Sequence, residues 1–149
     1  MKYKDEIEEV YRFFTEVGII NQLISTKLET LLPDRMTATQ FGILGHLVRR
    51  PDGETPLQLS KAFQIPKTSM THMLAGLETK ALITLEPNPS DKRSKIARST
   101  SRGEQFLNES MQRMSKALQP VLDDLGHEPF ANSLTHLTRI RETLDKERD

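Results

Sequence analysis

Apolar residues recur along the start of the chain at a spacing of 4, 3, 4, 3, 4, 3: Val10, Phe14, Val17, Asn21, Ile24, Leu28 and Leu31, with Asn21 the one polar member. That heptad seam predicts one long helix over about Asp5 to Leu32, ended by Pro33 and Asp34. The same rhythm returns in Leu107, Met111, Met114, Leu118, Val121 and Leu125, with Gly126 as a stop and Pro120 as an internal kink point. A last helix from about Glu128 sets Phe130, Leu134, Leu137, Ile140 and Leu144 on one side. Seams this long call for a partner helix, either inside a bundle or across a dimer.

Shorter elements fill the middle. Thr37-Ala38-Thr39-Gln40 has the form of a capping box, in which the threonine hydroxyl accepts the N3 amide and the glutamine reaches back. Phe41, Leu44, Leu47 and Val48 supply the face of the helix it opens, and Pro51-Asp52-Gly53 ends it. Thr55-Pro56-Leu57-Gln58 repeats the device with proline at N1, where no amide is missed, and opens a short helix with Leu59, Ala62 and Phe63 apolar. After the turn Gln64-Ile65-Pro66, a further helix over about Lys67 to Lys80 buries Met70, Met73, Leu74 and Leu77. A short helix, a tight turn and an amphipathic helix predict a helix-turn-helix.

Two strand candidates, Leu82 to Glu86 and Ser94 to Ser99, flank "PNPSDKR", which is too long for a two-residue hairpin turn and predicts an extended wing. Thr100 or Ser101 then caps the long helix, and Ser101-Arg102-Gly103-Glu104 fits another capping box. The predicted fold class is therefore mainly α with a small two- or three-stranded β-wing: a winged helix-turn-helix flanked by N- and C-terminal helices.

Charge sharpens this picture. The 149 residues carry 21 Lys/Arg and 21 Asp/Glu, yet residues 1–33 hold 4 against 6, residues 34–100 hold 10 against 6, and residues 101–149 hold 7 against 9. A basic middle thus sits between mildly acidic ends, and local potential is what a phosphate backbone feels once counterions screen beyond about 10 Å. Zero cysteine excludes disulfides, thiolate metal sites and thiol redox sensing. The four histidines, His46, His72, His127 and His136, lie on four elements without metal-ligand spacing, so no metal or cofactor is expected. Asp123-Asp124 is a polar face, and no nucleophile elbow, P-loop or dinucleotide fingerprint occurs, so no enzyme is expected. The acidic, amphipathic "MKYKDEIEEVYRFF" is unlike a signal peptide and no apolar run approaches membrane-spanning length, which predicts a cytoplasmic protein.

These residues are similar to the MarR-type transcriptional regulators over about Met36 to Leu107. The similarity lies in "MTATQFGIL", in "PLQLSKAFQIPKTSMTHMLAGLETKALI", and in "DKRSKIARSTSRGEQFL", where the wing pattern Asp91 to Lys95 is followed by T-x-x-G at Thr100 to Gly103. The resemblance implies a bacterial homodimeric regulator in which 1–33 and 101–149 are dimerisation helices and 34–100 binds DNA. It further implies a recognition helix in the major groove, a wing at the minor groove, and release by a small, often phenolic, anion. Three positions depart from the family pattern: Pro66 stands where a Ser or Thr cap is common, His72 where Arg is frequent, and Ser99 where an apolar residue is usual.

Candidate DNA-binding residues follow. Thr68, Thr71 and His72 are placed for base readout, Ser69 on the same polar face, and Lys67 beside a phosphate at the helix start, where a cation is otherwise unfavourable. In the wing, Arg93 is the candidate for the minor groove, Asp91 its internal support, and Lys92 and Lys95 are phosphate contacts or solvated lysines. The expected partners are double-stranded DNA bearing a pseudo-palindromic operator, a second copy of the chain, and a small-molecule effector. No membrane partner is expected. The competing readings are a winged-helix adaptor for another protein and a ligand-independent architectural DNA binder. Tyr11, Phe13, Phe14 and Phe41 lie nearest the family's ligand pocket but fit packing better.

Overall fold

The computed structural model describes residues 2–33 and 35–148, so Asp34, expected to help end the first helix, lies outside the described residues. Eight elements follow in order: α1 (Lys2–Glu29), α2 (Ala38–Val48), α3 (Pro56–Phe63), α4 (Lys67–Thr79), β1 (Ile83–Pro87), β2 (Lys95–Ser99), α5 (Ser101–Leu125) and α6 (Glu128–Lys146). The chain divides into two compact units, the first running to Gln112 and the second starting at Arg113.

In the first unit, the anticipated capping boxes at Thr37 and Thr55 are formed. Gln40 N donates to Thr37 Oγ1 at 3.1 Å while Thr37 N donates to Gln40 Oε1 at 2.9 Å. Thr55 and Gln58 repeat the exchange at 3.2 and 2.8 Å, with Pro56 at N1 of α3. α3 ends at Gln64 in the left-handed conformation (φ 51°), and the Ile65 amide donates to the Ser60 carbonyl at 3.0 Å, which closes the turn. α4 then starts on Pro66 with no side-chain cap, and its first helical bond runs from Met70 N to Pro66 O at 2.9 Å.

The wing is an antiparallel pair in which Leu85 lies opposite Ala97. Glu54 adds an isolated bridge to Ala97, so the sheet has two strands plus a single third-strand contact. Ile43, Leu44 and Leu47 of α2, Leu59 of α3, Met70, Leu74 and Leu77 of α4, Leu82, Ile83 and Ala97 of the wing, and Leu107 of α5 form one core, joined by Leu32 and Met36.

Several boundaries differ from the pattern. α1 stops at Glu29, and Leu31 N and Leu32 N make tighter bonds to Leu28 O and Glu29 O, because Pro33 disfavours helical geometry at Leu32. Ile43, absent from the expected α2 face, is fully buried, whereas Phe41 and Val48 are only half-buried. Ala62 faces solvent although the pattern made it apolar packing. Both strands begin one residue later than expected. Thr100, not Ser101, caps α5: its hydroxyl accepts the Gly103 amide at 3.0 Å and donates to Ala81 O at 2.8 Å.

In the second unit, α5 continues through Pro120 without interruption to Leu125, where Gly126 (φ 72°) turns the chain into α6. Among the described residues no helix is long and apolar enough to cross a membrane.

Candidate nucleic-acid interface

The site grows from the way α4 divides its surface. Met70, Leu74 and Leu77 point into the core, so 100° per residue places Thr68, His72, Ala75 and Thr79 on the opposite, outer stripe, where all four are exposed. Lys67 and Thr71 lie on one flank and Ser69 on the other. The Thr71 hydroxyl donates to Lys67 O at 2.9 Å, which commits its proton and leaves its lone pairs as acceptors.

Seven residues, 88–94, form the wing tip, and Asp91 organises them. Its Oδ1 accepts the Arg93 amide at 3.0 Å and Arg93 Nε at 3.3 Å, its carbonyl accepts the Ser94 amide, and its amide donates to Asn88 O. Asn88 Oδ1 takes the Ser90 amide at 3.0 Å. The expected internal role of Asp91 is present: an Asx-type turn sets the loop, and the ion pair engages only Nε of Arg93. The Arg93 side chain is 92% exposed, so the pair is weak and the terminal guanidinium nitrogens face solvent.

A groove of about 670 Å³ separates α4 from the wing. It brings Lys67 and Thr71 together with Asp91, Arg93 and Lys95, while Thr68, Ser69 and His72 lie on α4 outside it and Lys92 is exposed on the tip. Lys67, Lys92 and Lys95 make no ion pair with the described residues. The remaining cations of the wing and its base are committed: Arg98 Nε pairs with Glu86 at 3.2 Å and its Nη1 donates to Pro51 O at 2.9 Å. Arg50 and His46 both hold Glu54, at 2.8 and 2.9 Å.

The groove wall also includes Thr55, Pro56 and Leu57 at the start of α3, which sequence reasoning treated only as a cap. The capping box was the available signal, since it fixes the chain direction that turns these residues toward the wing. Ala75 and Thr79 were missed on the outer stripe, although the i+3 and i+7 positions from His72 would have found them.

Two antiparallel strands with a charged tip, set behind a helix-turn-helix whose second helix turns a polar stripe outward, define a winged helix-turn-helix DNA-binding transcription regulator. A sequence model of the MarR family matches residues 36–94. The apo form of MarR from E. coli superposes with a TM-score of 0.72 at 26% identity, covering 85% of this chain and 94% of that one. A mutant of the same E. coli protein in complex with operator DNA superposes at 0.71 and 26% identity over 89% and 95% of the two chains. An S. aureus MepR mutant gives 0.65 at 25% identity over 90% and 96%. Residues 36–94 thus match the MarR family, and the fold is that of MarR-type winged-helix transcriptional regulators.

Proposed function

We propose that the protein is a cytoplasmic, homodimeric repressor that reads a pseudo-palindromic operator with α4 and the wing, and that a small phenolic ligand releases it. The observation that carries the DNA reading is the groove that gathers Lys67 and Thr71 of α4 with Arg93 and Lys95 of the wing, beside an outward polar stripe. In this reading 34–100 is the DNA-binding region, Lys67, Lys92 and Lys95 meet phosphates, Thr68, Ser69, Thr71 and His72 line the base edges, Asp91 shapes the tip, and Arg93 enters the minor groove. The arms 1–33 and 101–149 supply the dimer. Support for that comes from their exposed apolar side chains, among them Val10, Phe14 and Ile24 of α1 and Phe130, Leu134 and Leu137 of α6. Effector release rests on family likeness alone.

The test is binding to a duplex from the protein's own upstream region against an unrelated duplex across a salt series, with footprinting in the presence and absence of phenolic acids. Salt-dependent, operator-selective binding is expected. A ratio near one instead identifies an architectural binder, and no salt-dependent binding identifies an adaptor.

Two substitutions probe the residues. Arg93→Glu is expected to lower operator affinity about 10- to 100-fold and to reduce the salt slope by about 2, one unit per wing of a dimer. A slope equal to wild type would remove Arg93 from the interface. Thr71→Ala is expected to lower operator affinity about tenfold while leaving nonspecific affinity within about twofold, because a lost acceptor at a base edge costs discrimination rather than charge. Equal losses on both duplexes would assign Thr71 to helix structure instead.

A further inference from the structure

Gln40 is one of two buried polar side chains among the described residues, 7% exposed, and it does more than close the cap of α2. While its Oε1 accepts Thr37 N at 2.9 Å, its Nε2 donates to Met73 O at 3.2 Å, in the middle of α4. That carbonyl belongs to the helix ladder and offers its second lone pair to the amide. Opposite stands Gly76: a Cβ there would lie 2.7 Å from Gln40 Nε2, so the absence of a side chain is what lets the amide reach the helix backbone. Two residues upstream, Ala38 N donates to Glu29 Oε1 at 2.8 Å, which ties the same cap to the end of α1.

The rest of the α2–α4 contact is apolar: Ile43, Leu44 and Leu47 share the core with Met70, Leu74 and Leu77. Apolar packing fixes how close two helices lie but is non-directional, whereas a hydrogen bond weakens steeply off its line. Side-chain tips stand about 5–6 Å from a helix axis, so a rotation of about 20° displaces the outer stripe by roughly 2 Å, enough to break contacts with base edges. We infer that Gln40 is a positioning residue for DNA reading: its bridge to Met73 sets the rotation of α4 about its own axis, and Gly76 is the vacancy that admits it. This rests on the operator-binding reading above. Thr68 and His72, on the face of α4 away from Met70, are the side chains whose aim it fixes.

The experiment compares wild type, Gly76→Ala, Gln40→Glu and the double variant for affinity to the upstream duplex and to an unrelated duplex, with thermal melting of each. Gly76→Ala displaces only the end of the Gln40 side chain, and the lost hydrogen bond is partly offset by replacing glycine inside a helix, so its melting temperature should stay within a few degrees of wild type. Gln40→Glu keeps the acceptor for Thr37 N, with its carboxylate in the first turn of α2, but has no N–H for Met73. Each single variant is expected to lower the operator-to-nonspecific ratio about tenfold, with nonspecific affinity and salt slope unchanged, and the double variant should be no worse than the worse single. A wild-type ratio in Gly76→Ala, or a parallel loss on both duplexes, overturns the assignment. Should Gln40→Glu fail to fold, Gly76→Ala decides alone. Wild-type protein without operator selectivity defeats the DNA-reading proposal itself, before the variants are compared.

Discussion

Gly103→Ala is expected to destabilise the winged unit by about 2–4 kcal/mol and to lower its melting temperature by roughly 10 °C. Gly103 is buried in the first turn of α5, where its amide is capped by Thr100. A Cβ built there would stand 2.1 Å from the Leu82 carbonyl oxygen and 3.1 Å from both the Leu82 carbonyl carbon and Leu44 Cδ1. The first contact is with backbone, so no rotamer change relieves it. That backbone is itself fixed: Leu82 O accepts Thr100 N at 3.1 Å, and Leu82 and Ile83 are both core residues. Either α5 or the start of β1 must move, which loosens contacts on Leu44 and Leu107. The gain from replacing a helical glycine, about 0.5–1 kcal/mol, is too small to offset this. Gly42→Ala is the matched control, since its Cβ would meet only Phe63 Cε1 at an ordinary 3.6 Å. It should melt at or above wild type. Calorimetry showing the two variants equally stable would refute the steric account of the T-x-x-G motif.

That motif illustrates how the chain divides into what pattern reveals and what only packing decides. Caps at Thr37 and Thr55 were legible because both partners of each box lie within four residues. The Asp91 turn was legible for the same reason, since an aspartate two residues before a basic residue finds a nearby amide without help from the fold. The choice between Thr100 and Ser101 was not, because both hydroxyls can cap and the winner is set by Ala81 O, nineteen residues away. Ile43 escaped because α2 is packed on more than one side, against α1, α4 and β2, and an element buried all round has no single apolar stripe to find. Likewise the fates of the cations are tertiary. Sequence alone placed Arg93 at the wing tip and Arg98 on the return strand, but could not say which of them an ion pair would hold. Folding commits Arg98 to Glu86 and Pro51 O and leaves Arg93 at the tip with only a weak local pair. The Gln40–Met73 bridge spans 33 residues and had no local signature at all.

Placing Asp at both Phe14 and Ile24 is expected to yield a monomer whose operator affinity falls by 10²-fold or more while its melting temperature changes by only a few degrees. The two side chains belong to the heptad seam of α1, and within the single chain they are 43% and 40% exposed. Their removal therefore takes little from the core formed by α2 to α5. A second copy would bury them, and each fully buried large apolar side chain contributes about 1.5–3 kcal/mol, which carboxylates in a dry seam would reverse. Binding two half-sites through one dimer turns the second contact into an intramolecular event, and losing that link costs about 10²- to 10⁴-fold without touching any residue that meets DNA. Light scattering after size-exclusion chromatography, run beside a gel-shift titration, separates the alternatives. A variant that stays dimeric shows that the seam is not the dimer contact. One that becomes monomeric yet binds the operator within a few-fold of wild type would show that a single winged unit suffices, and would sink the two-fold reading of the operator.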